Sequence, residues 1–121
     1  MTPPLVVDGK GDLLFFRSAR EAEGYLEAQD VLNHEYPRAF DSEGRLLRLT
    51  VREQKRRVLG LFKLSSDDVV LEEAEGHASY AGDLRELLIS RLGSLTPETG
   101  ALEAQTLQRL LELAVRHFGY R

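Results

Sequence analysis

The chain has 121 residues, 42% of them apolar and 30% charged, with 16 basic against 20 acidic residues and a net charge of −4. That length suits a single domain over residues 1–121, large enough to bury a core without a metal or disulfide staple, and the composition excludes a disordered chain. Cysteine is absent, which excludes disulfides, thiolate metal sites and a cysteine nucleophile, and suits a reducing compartment.

The stretch from Met1 to Asp8, with Thr2, Pro3, Pro4, Leu5, Val6 and Val7 between them, lacks the basic and apolar regions of a secretory signal. No run approaches the ~18 consecutive apolar residues of a membrane span. A cytoplasmic protein is therefore expected, with no membrane partner. The acidic balance makes the molecule as a whole repel nucleic acid.

Leu5-Val6-Val7 and Leu13-Leu14-Phe15-Phe16 flank Asp8-Gly9-Lys10-Gly11-Asp12. Two apolar runs around a glycine-rich turn predict an opening β-hairpin, because glycine reaches positive φ without strain. Ser18 and Glu21 have the spacing of a capping box, and Ala19, Ala22 and Leu26 recur at helical steps, so a first helix is predicted over 19–28. Asp30 to Pro37 reads as an irregular lead-in to a strand at Tyr36–Phe40. Asp41-Ser42-Glu43-Gly44 is a turn, with Asp first and Gly last as type I prefers.

Arg45–Arg52 alternates cleanly: Leu47, Leu49 and Val51 fall on one face, Arg48, Thr50 and Arg52 on the other. Glu53–Arg57 then reads as the solvated end of a hairpin, Val58–Leu64 as a central strand apolar on both faces, and Val69–Glu73 as a further strand. Leu84, Leu87, Leu88, Leu92 and Leu95 recur at steps of three and four, with Gly93 near the stop, and predict a helix between residues 80 and 95. The stripe Leu107, Leu110, Leu111, Ala114, Val115 and Phe118 predicts another, closed by Gly119. The order ββαβββ(β)αα implies an α+β fold: a two-layer sandwich of an antiparallel sheet of about five to six strands, an early helix and two C-terminal helices.

No residue pattern specifies a chemistry. His34-Glu35 begins like a zinc-protease helix, but Arg38 stands where the second histidine belongs. His117 suits the negative end of the last helix, and His77 has no partner at a telling distance. Asp67 with Asp68, and Glu72 with Glu73, are neighbours on a strand and point to opposite faces, so they do not converge as a general acid and base must. Asp8–Gly11 is not followed by the helix that a phosphate loop requires. The expectation is a non-enzyme with no catalytic residue, no metal and no cofactor. Two charged features remain. Arg52, Lys55, Arg56 and Arg57 form a basic cluster without interleaved aromatics, which suits a solvated, edge-protecting tip better than a nucleic-acid surface. Asp67, Asp68, Glu72, Glu73 and Glu75 form an acidic one, either plain solubilising surface or a lure for a basic partner.

Over most of its length the chain resembles small immunity proteins encoded beside bacterial polymorphic toxins. The likeness is carried by Gly11–Ser18, by Glu21-Ala22-Glu23 to Leu26-Glu27, by Asp30-Val31 with Glu35-Tyr36, by Asp41–Leu47, and by the leucine-rich C-terminal helices. It implies a protein that binds a cognate toxin domain and blocks it by contact. In that case Asp30, Glu35 and Tyr36 supply contacts from an irregular segment, and Asp67, Asp68 and Glu72 supply steering charge. A self-associating adaptor module, or a nucleic-acid binder using residues 52–57, are the alternatives.

Overall fold

Within the computed structural model, residues 1–58, 62–74, 79–93 and 101–121 are described, with their side chains except over 53–58 and 62–66. In chain order the elements are β1 (Leu5–Asp8), β2 (Leu13–Phe16), α1 (Ala19–Tyr25), α2 (Ala28–Leu32), β3 (Arg38–Phe40), β4 (Leu46–Val58), β5 (Phe62–Glu73), α3 (Ala81–Gly93), a single 3-10 turn (Leu102–Ala104) and α4 (Leu107–Phe118). The five strands form one antiparallel sheet in the order β2-β1-β3-β4-β5. The α+β class and the hairpin-built antiparallel sheet are as expected.

Every residue of β1 and β2 is buried. Successive side chains of a strand point to opposite faces, so this hairpin needs cover on both sides. Val6, Leu13, Phe15 and Phe40 pack with Leu84, Leu88, Leu92, Leu110, Leu111 and Ala114, the inward faces of α3 and α4. Leu5, Val7, Leu14, Phe16, Ala39, Leu47, Val69 and Leu71 pack with Ala22 and Leu26 of the α1 region on the other face. The expected two layers thus become helices on both sides of one sheet. Helix α1 packs against both β2 and β5, the two ends of the strand order, so the sheet curls around it.

In the first turn, positive φ falls on Lys10 (54°) and Gly11 (123°). Ser18 caps α1 by accepting from the Glu21 N–H (3.1 Å), while the Glu21 carboxylate accepts from the Arg17 N–H (3.2 Å). That is the reciprocal bonding the capping spacing predicts, displaced by one residue on the return. Asp30 and Val31 do not lie in an irregular lead-in; they sit on α2, and the chain breaks only at His34, whose φ is 57°. The reason is that residues 28–32 offer a helical turn between α1 and Pro37, which periodicity over so short a segment does not reveal.

The second hairpin also departs from expectation. β4 runs unbroken through the charged run to Val58, and Phe62 to Glu73 is one strand, in register from Leu47↔Glu73 to Val58↔Phe62. Residues 53–57 are thus strand rather than a hairpin end, and Phe62–Leu64 belongs to β5 together with Val69–Glu73. Residues 59–61 of the expected Val58–Leu64 strand lie outside the described residues, and β5 ends the strand order. Charged side chains do not interrupt an extended backbone that is paired along its length, which is why the charge run misleads.

Buried charge fastens the parts. Asp8 is 3% exposed; its carboxylate accepts from Arg91 of α3 (2.9 Å), Arg38 (3.4 Å) and the Lys10 N–H (3.1 Å). Asp41, fully buried, accepts from the backbone N–H groups of Thr2 (3.1 Å), Glu43 (2.9 Å) and Arg45 (2.9 Å). The turn it organises meets the start of α3, where the Tyr80 N–H donates to the Gly44 carbonyl (2.7 Å). Gly44 has φ +84°, and a Cβ there would lie 2.4 Å from the Ala81 Cα. Gly44→Ala is therefore expected to cost roughly 3 kcal/mol or more, because backbone must move at both ends of the contact. Denaturant unfolding measures it; a change within about 0.5 kcal/mol would contradict the packing described.

Candidate functional site

The segments α1, α2 and β5 enclose an open cleft of about 960 Å³. Its walls carry Glu23 and Glu27 from the helical side and Asp67 and Asp68 from the strand, against Arg20 and Arg52. The cleft wraps the β5 edge: by alternation Asp67 is on the helix side, while Asp68 and its cross-ladder partner Arg52 line it from the other face, and its four carboxylates outnumber its two guanidinium groups. Arg52 stands directly across the ladder from Asp68, which offsets its charge. On the same two helices, outside the cleft lining, Leu32 is 55% exposed and Tyr25 is half exposed with its ring against Phe16 (centroids 5.6 Å apart). Exposed apolar groups rimmed by charge are a common composition for a contact surface.

The backbone explains how β5 comes to line this cleft. The Ala74 N–H donates to the Leu46 carbonyl (3.0 Å), which makes 46↔74 a hydrogen-bonded pair. In an antiparallel ladder such pairs alternate, so 68, 70 and 72 bond to β4 while 67, 69 and 71 turn their N–H and C=O outward. The outward N–H of Leu71 donates to Glu23 Oε2 of α1 (2.8 Å). One helix carboxylate thereby docks α1 on the edge of β5 and satisfies one of its outward N–H groups.

Glu27 connects the cleft to a second group. The Tyr36 hydroxyl donates to Asp30 Oδ2 (3.3 Å). Burial, then the charge and hydrogen bond of Asp30, then the charge of Glu27, push the Tyr36 phenol up from 10.0 to about 12. Tyr36 also lines a smaller cleft of about 280 Å³ with Val31, His34, Pro37, Arg38 and Leu49, where β3 ends and β4 continues.

The expected contact residues are therefore only partly brought together. Asp67 and Asp68 share the acidic cleft, and Asp30 and Tyr36 are bonded to each other beside it. Glu35 is exposed on the turn after α2, its N–H donating to the Asp30 carbonyl (3.0 Å). Glu72 lies across the ladder from Arg48, on the face opposite the α1–α2 core, and pairs with its guanidinium at 2.9 Å. Glu23, Glu27 and Tyr25 were not legible as site residues, because their roles depend on α1 crossing to β5. Of the basic cluster, Lys55, Arg56 and Arg57 lie where side chains are outside the described residues, as do Glu75 and His77 entirely. Among the described residues no group of three or more His, Asp or Glu side chains is placed to hold a metal ion.

In comparison with known protein families, curated proteins and solved structures, the chain matches none.

The Tyr36–Asp30 bond has a pH signature. With its phenol held near 12 in the folded state against 10.0 when free, the unfolded chain releases this proton first as pH rises. The stability it contributes is complete below pH 10 and is lost as pH climbs through 12. Spectrophotometric titration should show one phenol ionising near 12, absent in Tyr36→Phe and shifted downward, short of the free value, in Asp30→Asn. An unchanged profile in Asp30→Asn would contradict the bond.

Proposed function

We propose that this protein is an immunity protein, which binds a cognate bacterial toxin domain in the cytoplasm and neutralises it by contact. The reading rests on the sequence resemblance, and one structural observation supports it: the acidic cleft lined by Glu23, Glu27, Asp67 and Asp68, on the side of the sheet edge where α1 also presents the half-exposed Tyr25. Toxin domains that act on nucleic acid carry positive potential near their substrate groove, and an acidic surface on an otherwise acidic protein accelerates encounter with such a groove. In this arrangement Asp67 and Asp68 steer, Tyr25 and Tyr36 anchor, and Asp30 fixes the Tyr36 hydroxyl. Glu35 extends the acidic rim. Glu72, paired with Arg48 outside the cleft, has no part in this contact.

The experiment is co-expression with the toxin-like domain encoded beside the gene. Rescue of growth and co-purification as a stoichiometric complex are expected. Charge reversal at Asp67 and Asp68 should lower the association rate constant by about tenfold at low salt and leave dissociation nearly unchanged. Failure to rescue, with no complex at any salt concentration, would remove the proposal; an unaltered association rate in the double reversal would remove the role of this cleft.

A further inference from the structure

Among the described residues, nothing pairs with the β3-facing edge of β4 beyond Leu47. β3 pairs with β4 only at Ala39↔Leu47 and Phe40↔Leu46, and the Asp41 N–H donates to the Arg45 carbonyl (3.0 Å). That bond fixes the alternation: 45 and 47 bond toward β3, and the same side of the strand then carries the N–H and C=O of Leu49 and Val51. Continuing the register by one hydrogen-bonded step places Pro37 opposite Leu49. Proline has no N–H to give, and the chain turns away there. Between Tyr36–Ala39 and Leu46–Leu49 lies the cleft of about 280 Å³.

We propose that this open edge accepts an extended segment of a partner protein as an added strand, one that alternates apolar with acidic side chains. The chemistry of the two faces selects it. On the helix side the added strand meets Leu49 with Val31 and the Tyr36 ring, and by alternation Val51. On the other side it meets Arg48 and Arg52, and in sequence the rest of β4 carries Lys55, Arg56 and Arg57 against Glu53, its one acidic residue. Glu72 and Asp68 on β5 offset Arg48 and Arg52 locally, but β4 as a whole remains strongly basic. The same charge opposes two-fold pairing of this edge with its copy on a second chain, since like-charged strands would be brought side by side. Main-chain bonds supply the affinity in strand addition and the alternate side chains supply the selection. This inference concerns β4, not the acidic cleft on β5, and stands whether or not the partner is a toxin.

The test uses the whole protein, isotope-labelled, and a capped peptide of about ten residues alternating valine and glutamate. Saturable amide shifts and slowed hydrogen exchange at Leu49 and Val51 are expected, and a valine–lysine peptide should bind at least about tenfold more weakly. Two further peptides carry backbone N-methyl groups on one or the other alternate set of residues. Only one of them should lose binding, because an edge-paired strand directs every second N–H at its host. Val51→Pro removes an outward N–H without touching the β4–β5 ladder and should also lose the peptide; if it does not fold, the N-methyl pair decides alone. The proposal is overturned by silence at Leu49 and Val51, by equal binding of the two N-methylated peptides, by equal binding of the lysine peptide, or by shifts at these amides that track protein concentration without peptide, which would make a second copy the occupant.

Discussion

An apolar strand without alternation cannot be buried from one side. The apolar runs of β1 and β2 are Leu5-Val6-Val7 and Leu13-Leu14-Phe15-Phe16, and that single constraint organises the rest of the chain. Val6, Leu13 and Phe15 draw α3 and α4 to one face, while Leu5, Val7, Leu14 and Phe16 draw α1 to the other. Each fully buried side chain of this kind contributes roughly 1.5–3 kcal/mol, so covering only one face would forfeit a large part of the stability of a small domain. Because α1 must also reach the β4–β5 hairpin, the sheet curls, and the acidic cleft is the space left between the helices and the β5 edge.

A five-stranded open sheet has edges, and this chain treats them unequally. β2 is closed by the C-terminal residues: Tyr120 bridges Phe15, the Arg121 N–H donates to the Phe15 carbonyl (2.9 Å), and the Arg17 guanidinium lies 4.1 Å over the Tyr120 ring. β5 is bonded by Glu23 at Leu71. β4 runs past β3, whose pairing stops short of Pro37, and among the described residues nothing continues it. A protein that acts through contact gains from this asymmetry: rigid, closed flanks hold one charged cleft and one open strand edge in fixed relation.

Much of this was legible in the residues. The opening hairpin, the Ser18 cap, the Asp41–Gly44 turn and the two C-terminal helices each carry a local signal that agrees with their tertiary setting. What misled was charge. Glu53–Arg57 reads as loop because polar runs usually are, yet the register from Leu47↔Glu73 to Val58↔Phe62 carries it as strand. The short α2 was hidden for the opposite reason, since five residues are too few to show a period. Site residues were least legible of all. Asp67 and Asp68 could be named from their charge, but Glu23 and Glu27 join them only because α1 crosses from β2 to β5, and Glu72, on the same face as Asp68 but further along β5, drops out because it pairs with Arg48 outside the cleft.

Hydrogen exchange in the free protein tests the unequal edges most directly, since neighbouring amides on β4 differ only in the direction they point. Thr50 and Arg52, bonded into the ladder with β5, should exchange orders of magnitude more slowly than Leu49 and Val51, and Leu71 should share their protection through Glu23. Equal protection at Leu49 and Thr50 in the free monomer would mean that the β4 edge is already closed, and would contradict the asymmetry on which a contact role for this strand depends.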